Sequence, residues 1–120
     1  MGVVHHTEYP RYFELARNRW LDKIGWNIDV CNAGHLVFPV VHLECDYKKS
    51  ARFGGMVTAT ARIIRYTGAR VEFLQQVLDE SGSVCAEGRV TVGFLNTATG
   101  RVMRCPDALA AKIQEELAAE

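Results

Sequence analysis

Apolar residues recur at intervals of three and four near the start of the chain, which is the spacing of one face of an α-helix. Charged and polar residues fall largely between them. The residues on the apolar face are Tyr9, Phe13, Ala16, Trp20 and Ile24. Pro10 suits the first turn of a helix, and Gly25 suits its end. The spacing therefore predicts a helix of about four turns over residues 8–24.

From Leu36 to Met103 the pattern changes to the alternation and the β-branched runs that are typical of strands. Four segments have this character: LVFPVVHLECDY, MVTATARIIRY, ARVEFLQQVLDE and SVCAEGRVTVGFLN. Tight-turn signals, Thr67-Gly68 and Ser81-Gly82, separate the last three. In the second segment the apolar face would carry Val57, Ala59, Ala61 and Ile63. We predict an antiparallel meander of about four strands.

A second amphipathic helix, ALAAKIQEELAAE, is predicted after Pro106 and Asp107. The order of elements is then a long helix, several strands and a short helix. This order is typical of an α+β fold in which the antiparallel sheet curls around the long helix. Because one helix covers only one face of a sheet, we expect another subunit to cover the other face.

Length and composition indicate a single-domain protein and argue against several classes of binding partner. The 120 residues fit a single domain over residues 1–120. Lys and Arg (14) balance Asp and Glu (14), which gives no electrostatic case for binding nucleic acid or a membrane. The start of the chain has no leader pattern, and no apolar run has the length of a membrane span, so a soluble cytoplasmic protein is expected.

The four cysteines, Cys31, Cys45, Cys85 and Cys105, lie too far apart in sequence for a zinc knuckle or a redox dithiol. We expect them to be reduced thiols, buried for the most part. No metal and no cofactor is expected.

The stretch GVVHHTEYPRYFELARNRWLDKIGW resembles the signature of the 4-hydroxybenzoyl-CoA thioesterase family, in particular its branch of small bacterial acyl-CoA thioesterases. That signature runs Asp-x-x-Gly-(Val/Ile)-Val-(Tyr/His)-His-x-x-Tyr and continues into the long helix as Tyr-Phe-Glu-x-Ala-Arg. The residues that match its first part are Gly2, Val3, Val4, His5, His6 and Tyr9. Those that match the second are Tyr12, Phe13, Glu14, Ala16 and Arg17. The later strand segments also look like those of the family.

The resemblance implies a hotdog fold and hydrolysis of an acyl-CoA thioester to a free acid and CoA. It also implies a homodimer or homotetramer with sites at the subunit interfaces. The family's catalytic aspartate stands three residues before the motif glycine, which here would be upstream of Met1, and so would the strand that leads into it. We expect Met1 to be an internal residue or a misassigned start of a longer protein. A genuinely short form would be impaired.

The resemblance also implies the site residues. The backbone N–H of His6, at the start of the long helix, is the candidate oxyanion donor, and the His6 side chain would orient substrate or water. Tyr9 would line the same pocket as a second catalytic residue. Glu8 and Glu14 are the nearest carboxylates that could substitute for the aspartate.

Coenzyme A carries phosphates, so basic residues are expected at the mouth of the site. Arg65 and Arg70 flank the Thr67-Gly68 turn, where related enzymes tend to meet the nucleotide, and are the CoA-binding candidates. Ordinary solvated strand ends would place arginines there as well.

Two other functions remain open at the level of sequence, and a third lacks its expected motif. The chain could be a non-catalytic acyl-CoA binder or regulator, or a purely structural partner in an assembly. A hotdog hydratase acting on enoyl-CoA would resemble an Asp-x4-His pairing, which none of the aspartates of this chain provides.

Overall fold

The computed structural model describes residues 9–48 and 56–119. The elements in these ranges are α1 (Tyr9–Lys23), α2 (Ile28–Ala33), β1 (Leu36–Val37), β2 (Val40–Tyr47), β3 (Thr58–Tyr66), β4 (Val71–Leu78), β5 (Val84–Val92), β6 (Leu95–Asn96), β7 (Arg101–Val102) and α3 (Asp107–Ala119). None of the three helices in this part of the chain has the length and apolar character needed to cross a membrane.

Both predicted helices are confirmed, as α1 and α3. The short helix α2 was not predicted, because six residues are too few to show a helical period. Its start is nevertheless encoded locally: the Asn27 side chain caps the helix by accepting the backbone N–H of Val30 at 2.9 Å.

Four antiparallel strands form the main sheet in the order β2-β5-β4-β3. The predicted meander is confirmed for β3, β4 and β5. It is wrong for β2, which pairs with β5 and not with β3. The tight turns at Gly68 and Gly82 determine the pairing of β3 with β4 and of β4 with β5, whereas β2 and β5 are separated in sequence by both β3 and β4. The partner of β2 is therefore decided by tertiary packing.

The apolar face of α1 packs on the inner face of this sheet. The Trp20 and Phe73 rings meet edge to face with centroids 5.4 Å apart. Nearer the start of α1, the Phe13 ring lies directly over Gly88. A Cβ atom at Gly88 would come within 2.6 Å of Phe13 Cε2, so the absence of a side chain there permits the close approach of helix and sheet.

One polar side chain joins α1 to the sheet inside the core. Gln75 of β4 is fully buried, and its Nε2 donates to the backbone carbonyl of Phe13 at 2.8 Å and to that of Thr60 at 3.3 Å. Its Oε1 accepts a hydrogen bond from Arg17 Nη1 at 2.9 Å. The buried amide thus has partners for both its donor and its acceptor ends, as a buried polar group requires.

The prediction that the cysteines are buried for the most part is confirmed: Cys31, Cys85 and Cys105 are buried, and Cys45 is partly buried.

Candidate active site at the start of the long helix

The first turn of α1 lies against the end of the edge strand β2. Tyr9 is buried, with 2% of its surface exposed, and its ring centroid lies 5.5 Å from that of Tyr47 and 6.4 Å from that of Tyr12. The first N–H groups of a helix lack intrahelical partners and form the positive end of its dipole. An aromatic wall beside such a helix start suits a substrate with an apolar body and a polarised carbonyl.

Cys45 and Tyr47 lie two residues apart on β2 and share a side-chain hydrogen bond. Desolvation is the main factor that raises the pKa of Tyr47, and it likewise raises the pKa of the Cys45 thiol. Both groups are therefore neutral around pH 7. Cys45 does not have the lowered pKa of a reactive thiolate, so this corner of the site offers neutral hydrogen-bonding groups and not a nucleophile.

Two of the candidate residues, His6 and Glu8, lie outside the described residues. Tyr9 is the first residue of α1. Glu14 is exposed one and a half turns further along the helix, where it lines the cavity described below.

The CoA-binding candidates Arg65 and Arg70 are exposed beside the turn between β3 and β4. Arg104 joins them, because its guanidinium covers Gly68, the turn residue with a φ of 86°. The sequence did not indicate Arg104, because its neighbours in sequence belong to the segment before α3. Three arginines thus surround one turn.

The turn arginines and the start of α1 lie at opposite ends of the sheet. Val71 begins β4 next to the turn, whereas Val77 pairs with Ala86, which in turn pairs with Tyr47. Six residues along a strand span about 20 Å. Within one chain the structure therefore does not bring Arg65 and Arg70 next to Tyr9, and only an elongated molecule would meet both.

A cavity of about 530 Å³ lies beside the middle and end of α1, between α2, the start of β2 and α3. Both tryptophans of the chain, Trp20 and Trp26, line it, together with Arg17 on its polar side. Neither Tyr9 nor Tyr47 does. Neither this cavity nor the Tyr9–Tyr47 contact was predictable from the sequence, because both join segments that are distant in sequence and no local pattern encodes them.

The chain is similar to known proteins over most of its length. A family model described as the thioesterase-like superfamily matches residues 1–113. The chain is 30% identical over 105 residues to sll0410 of Synechocystis sp., a protein named as an esterase, a match that covers 86% of this chain and 63% of the relative. The chain thus spans less than two-thirds of the length of that relative.

Two further proteins extend the comparison. The acyl-CoA thioester hydrolase YbgC of Escherichia coli is 22% identical over 114 residues, which cover 95% of this chain and 85% of the relative. The crystal structure of the hypothetical protein TT1821 from Thermus thermophilus superposes with a TM-score of 0.89 at 30% identity, covering 97% of this chain and 88% of that one.

The fold is therefore the hotdog fold. The chain belongs to the thioesterase-like superfamily.

Proposed function

We propose that this protein is a cytoplasmic acyl-CoA thioesterase that hydrolyses the thioester at the start of α1, releasing a free acid and CoA. The observation that carries the proposal is the match of residues 1–113 to the family, with the motif tyrosine Tyr9 buried at the first residue of α1. The relative from Escherichia coli, named as an acyl-CoA thioester hydrolase, supports the substrate class.

In the proposed reaction the oxygen of water adds to the thioester carbonyl carbon, the C–S bond breaks, and the sulfur leaves as the CoA thiol after taking up a proton. The backbone N–H of His6 donates to the developing oxyanion, a contribution of about 3 kcal/mol to the transition state. His6 orients the water or substrate, and Tyr9 lines the pocket. In the family signature, the carboxylate that would activate the water is an aspartate three positions before the residue that Gly2 matches.

The test of the function is release of free thiol from a panel of aliphatic and aromatic acyl-CoAs. We expect turnover of at least one of them by a version that carries an aspartate three residues before Gly2, and less by the 120-residue chain itself. His6→Ala should lower kcat/KM by at least about tenfold, because a misplaced reactant loses the benefit of orientation. His35→Asn is the control, since asparagine tolerates the φ of 55° at this exposed position.

Binding of acyl-CoA without turnover by either version would contradict the hydrolase proposal. It would favour the non-catalytic binder instead.

We also propose that the protein is a homodimer or a homotetramer whose subunits join at the β2 edge. β2 is the outermost strand of the four-stranded sheet, and Val41 and Leu43 on it are 46% and 43% exposed. A long apolar edge of this kind is a template for pairing with a second chain.

In light scattering, Leu43→Lys should halve the mass of the oligomer, from dimer to monomer or from tetramer to dimer, because a two-fold axis through the edge brings the two introduced charges together. Met56→Lys, at a position that is 77% exposed outside the sheet, should leave the mass unchanged. A wild-type protein that is monomeric at all concentrations would overturn the proposal.

For CoA we propose that Arg65 and Arg70 meet its phosphates, with Arg104 beside them. Three arginines around the Gly68 turn form a local cationic patch in a chain of zero net charge. Because this patch is distant from the start of α1, one ligand could contact both only if it were elongated. An acyl-CoA is elongated in this way.

Reversing both charges, Arg65→Glu with Arg70→Glu, should raise KM for acyl-CoA about tenfold while kcat changes little, because the phosphates are bound equally in the ground and transition states. Arg19→Glu with Arg89→Glu, two exposed positions elsewhere, changes the net charge equally and should leave KM unaltered. An equal KM in both double variants would remove Arg65 and Arg70 from the site.

A further inference from the structure

The cavity beside α1 has the size and the lining of a small-molecule site. Its volume of about 530 Å³ falls in the range of about 300–1,000 Å³ that is usual for ligand pockets. Most of its wall is apolar, and the large side chains that line it are Trp20, Trp26, Phe38, Phe73, Phe94 and Leu109. Such a wall accommodates an alkyl chain or an aromatic ring.

Arg17 provides the main positive charge in this wall. Its side chain is partly buried, and Nη1 donates to the neutral amide of Gln75 at 2.9 Å. A guanidinium has five N–H donors, so this hydrogen bond uses only one of them. Among the described residues, no carboxylate lies within ion-pair distance of Arg17. Glu14 is the nearest electrostatic influence, and it raises the pKa of Arg17 less than burial lowers it.

A guanidinium that is partly desolvated and paired with a neutral amide favours an anionic ligand. A carboxylate suits it best, because its two oxygens can accept two parallel N–H hydrogen bonds from the guanidinium. The remaining polar side chains of the wall limit the charge of that ligand. Glu14 and Asp22 are acidic, whereas Asn18 and Asn32 are neutral. The two carboxylates would repel a second negative charge, so a ligand with one carboxylate and an apolar body fits the wall best.

We propose that the cavity binds a free apolar monocarboxylate, with its carboxylate on the Arg17 guanidinium and its body between the two tryptophans. The site is separate from the start of α1, because neither Tyr9 nor Tyr47 lines it. A free apolar acid is also the chemical class of product that the proposed thioester hydrolysis would release. The binding site itself does not depend on that activity.

The two tryptophans make the proposal directly measurable, because both line the cavity and the chain has only these two. Decanoate should change the tryptophan fluorescence of the wild-type protein in a saturable way. Decanol, which has the same alkyl chain and no charge, should bind about tenfold more weakly or worse, since it lacks the charge-assisted hydrogen bonds. This comparison needs no variant and no thioester substrate.

Arg17→Met should reduce the affinity for decanoate about tenfold, to that for decanol. Arg19→Met is the matched control, because Arg19 is an exposed arginine on the same helix that does not line the cavity. It should leave both affinities unchanged. Equal affinity of the wild-type protein for decanoate and decanol, or no fluorescence change with either, would overturn the proposal, whatever the result of the hydrolysis assay.

Discussion

Replacing Gln75 with methionine is expected to lower the free energy of unfolding by about 3 kcal/mol. The methionine side chain has nearly the same length, but it neither donates nor accepts as the amide does. The carbonyls of Phe13 and Thr60 would lose the Nε2 donor, and the partly buried guanidinium of Arg17 would lose its acceptor. Leaving buried polar groups without partners costs more than the hydrogen bonds contribute in the intact protein.

Gln76→Met is the matched control for this prediction. Gln76 is the next residue on β4, and its side chain lies on the opposite face of the sheet, where Nε2 donates to Glu87 Oε2 at 2.8 Å. Water can replace that partner at this partly exposed position, so Gln76→Met should lower the free energy of unfolding by less than about 1 kcal/mol. Denaturant unfolding measures both values. Equal losses would show that Gln75 is not a buried link between α1 and the sheet.

Gly88→Ala is expected to destabilise the protein by about 2–3 kcal/mol. The added Cβ would lie 2.6 Å from Phe13 Cε2 and 2.9 Å from the backbone carbonyl oxygen of Glu44. Neither neighbour can move easily. The Phe13 side chain is fully buried between α1 and the sheet. Glu44 belongs to β2, which pairs with the β5 residues on both sides of Gly88. Relief would require α1 to lift or the β2–β5 pairing to open.

Gly93→Ala provides the comparison. A Cβ there would meet Val41 Cγ1 at 3.7 Å, which is ordinary van der Waals contact, so thermal unfolding should show a loss of less than about 1 kcal/mol. The contact with Phe13 can be isolated by a double-mutant cycle. In a Phe13→Leu background, which removes the ring, Gly88→Ala should cost less than in the wild-type protein. The same cost in both backgrounds would exclude Phe13 as the obstacle.

The helices and the faces of the strands were predictable, because they depend on periods of the local sequence. The three- and four-residue spacing of apolar side chains predicted α1 nearly to its ends. Alternation predicted that Ile63 would share a face with Val57, Ala59 and Ala61; Ile63 is buried and the other three are half-buried. A side chain's face follows from backbone geometry alone, so no knowledge of its partner is needed.

The partner of β2 was not predictable in this way. Backbone hydrogen bonds carry no residue identity, and without a tight turn the neighbour of a strand depends on the packing of the whole core. The placement of Gln75 shows the same limit. Alternation puts it among apolar residues on the inner face, but only the meeting of α1 with β4 reveals that its amide has partners there.

The candidate site was predictable only in part. The motif around Tyr9 placed it at the start of the long helix, and the structure has Tyr9 at that position. The contact of Tyr9 with Tyr47 joins residues that are 38 positions apart, and the cavity around Arg17 joins α1, α2, β4 and α3. Contacts over such separations have no signature in the spacing of neighbouring residues.

By itself the sequence determined the family, the two longer helices, the strand segments and the alternation of their faces, because each is encoded in a motif or a local period. Only the tertiary structure decided that β2 lies beside β5, that Gly88 accommodates the Phe13 ring, and that Arg17 lines an apolar cavity. Those outcomes depend on the packing of segments that are distant in sequence. Close packing in the core is decided by the sum of all side-chain volumes and not by any one segment.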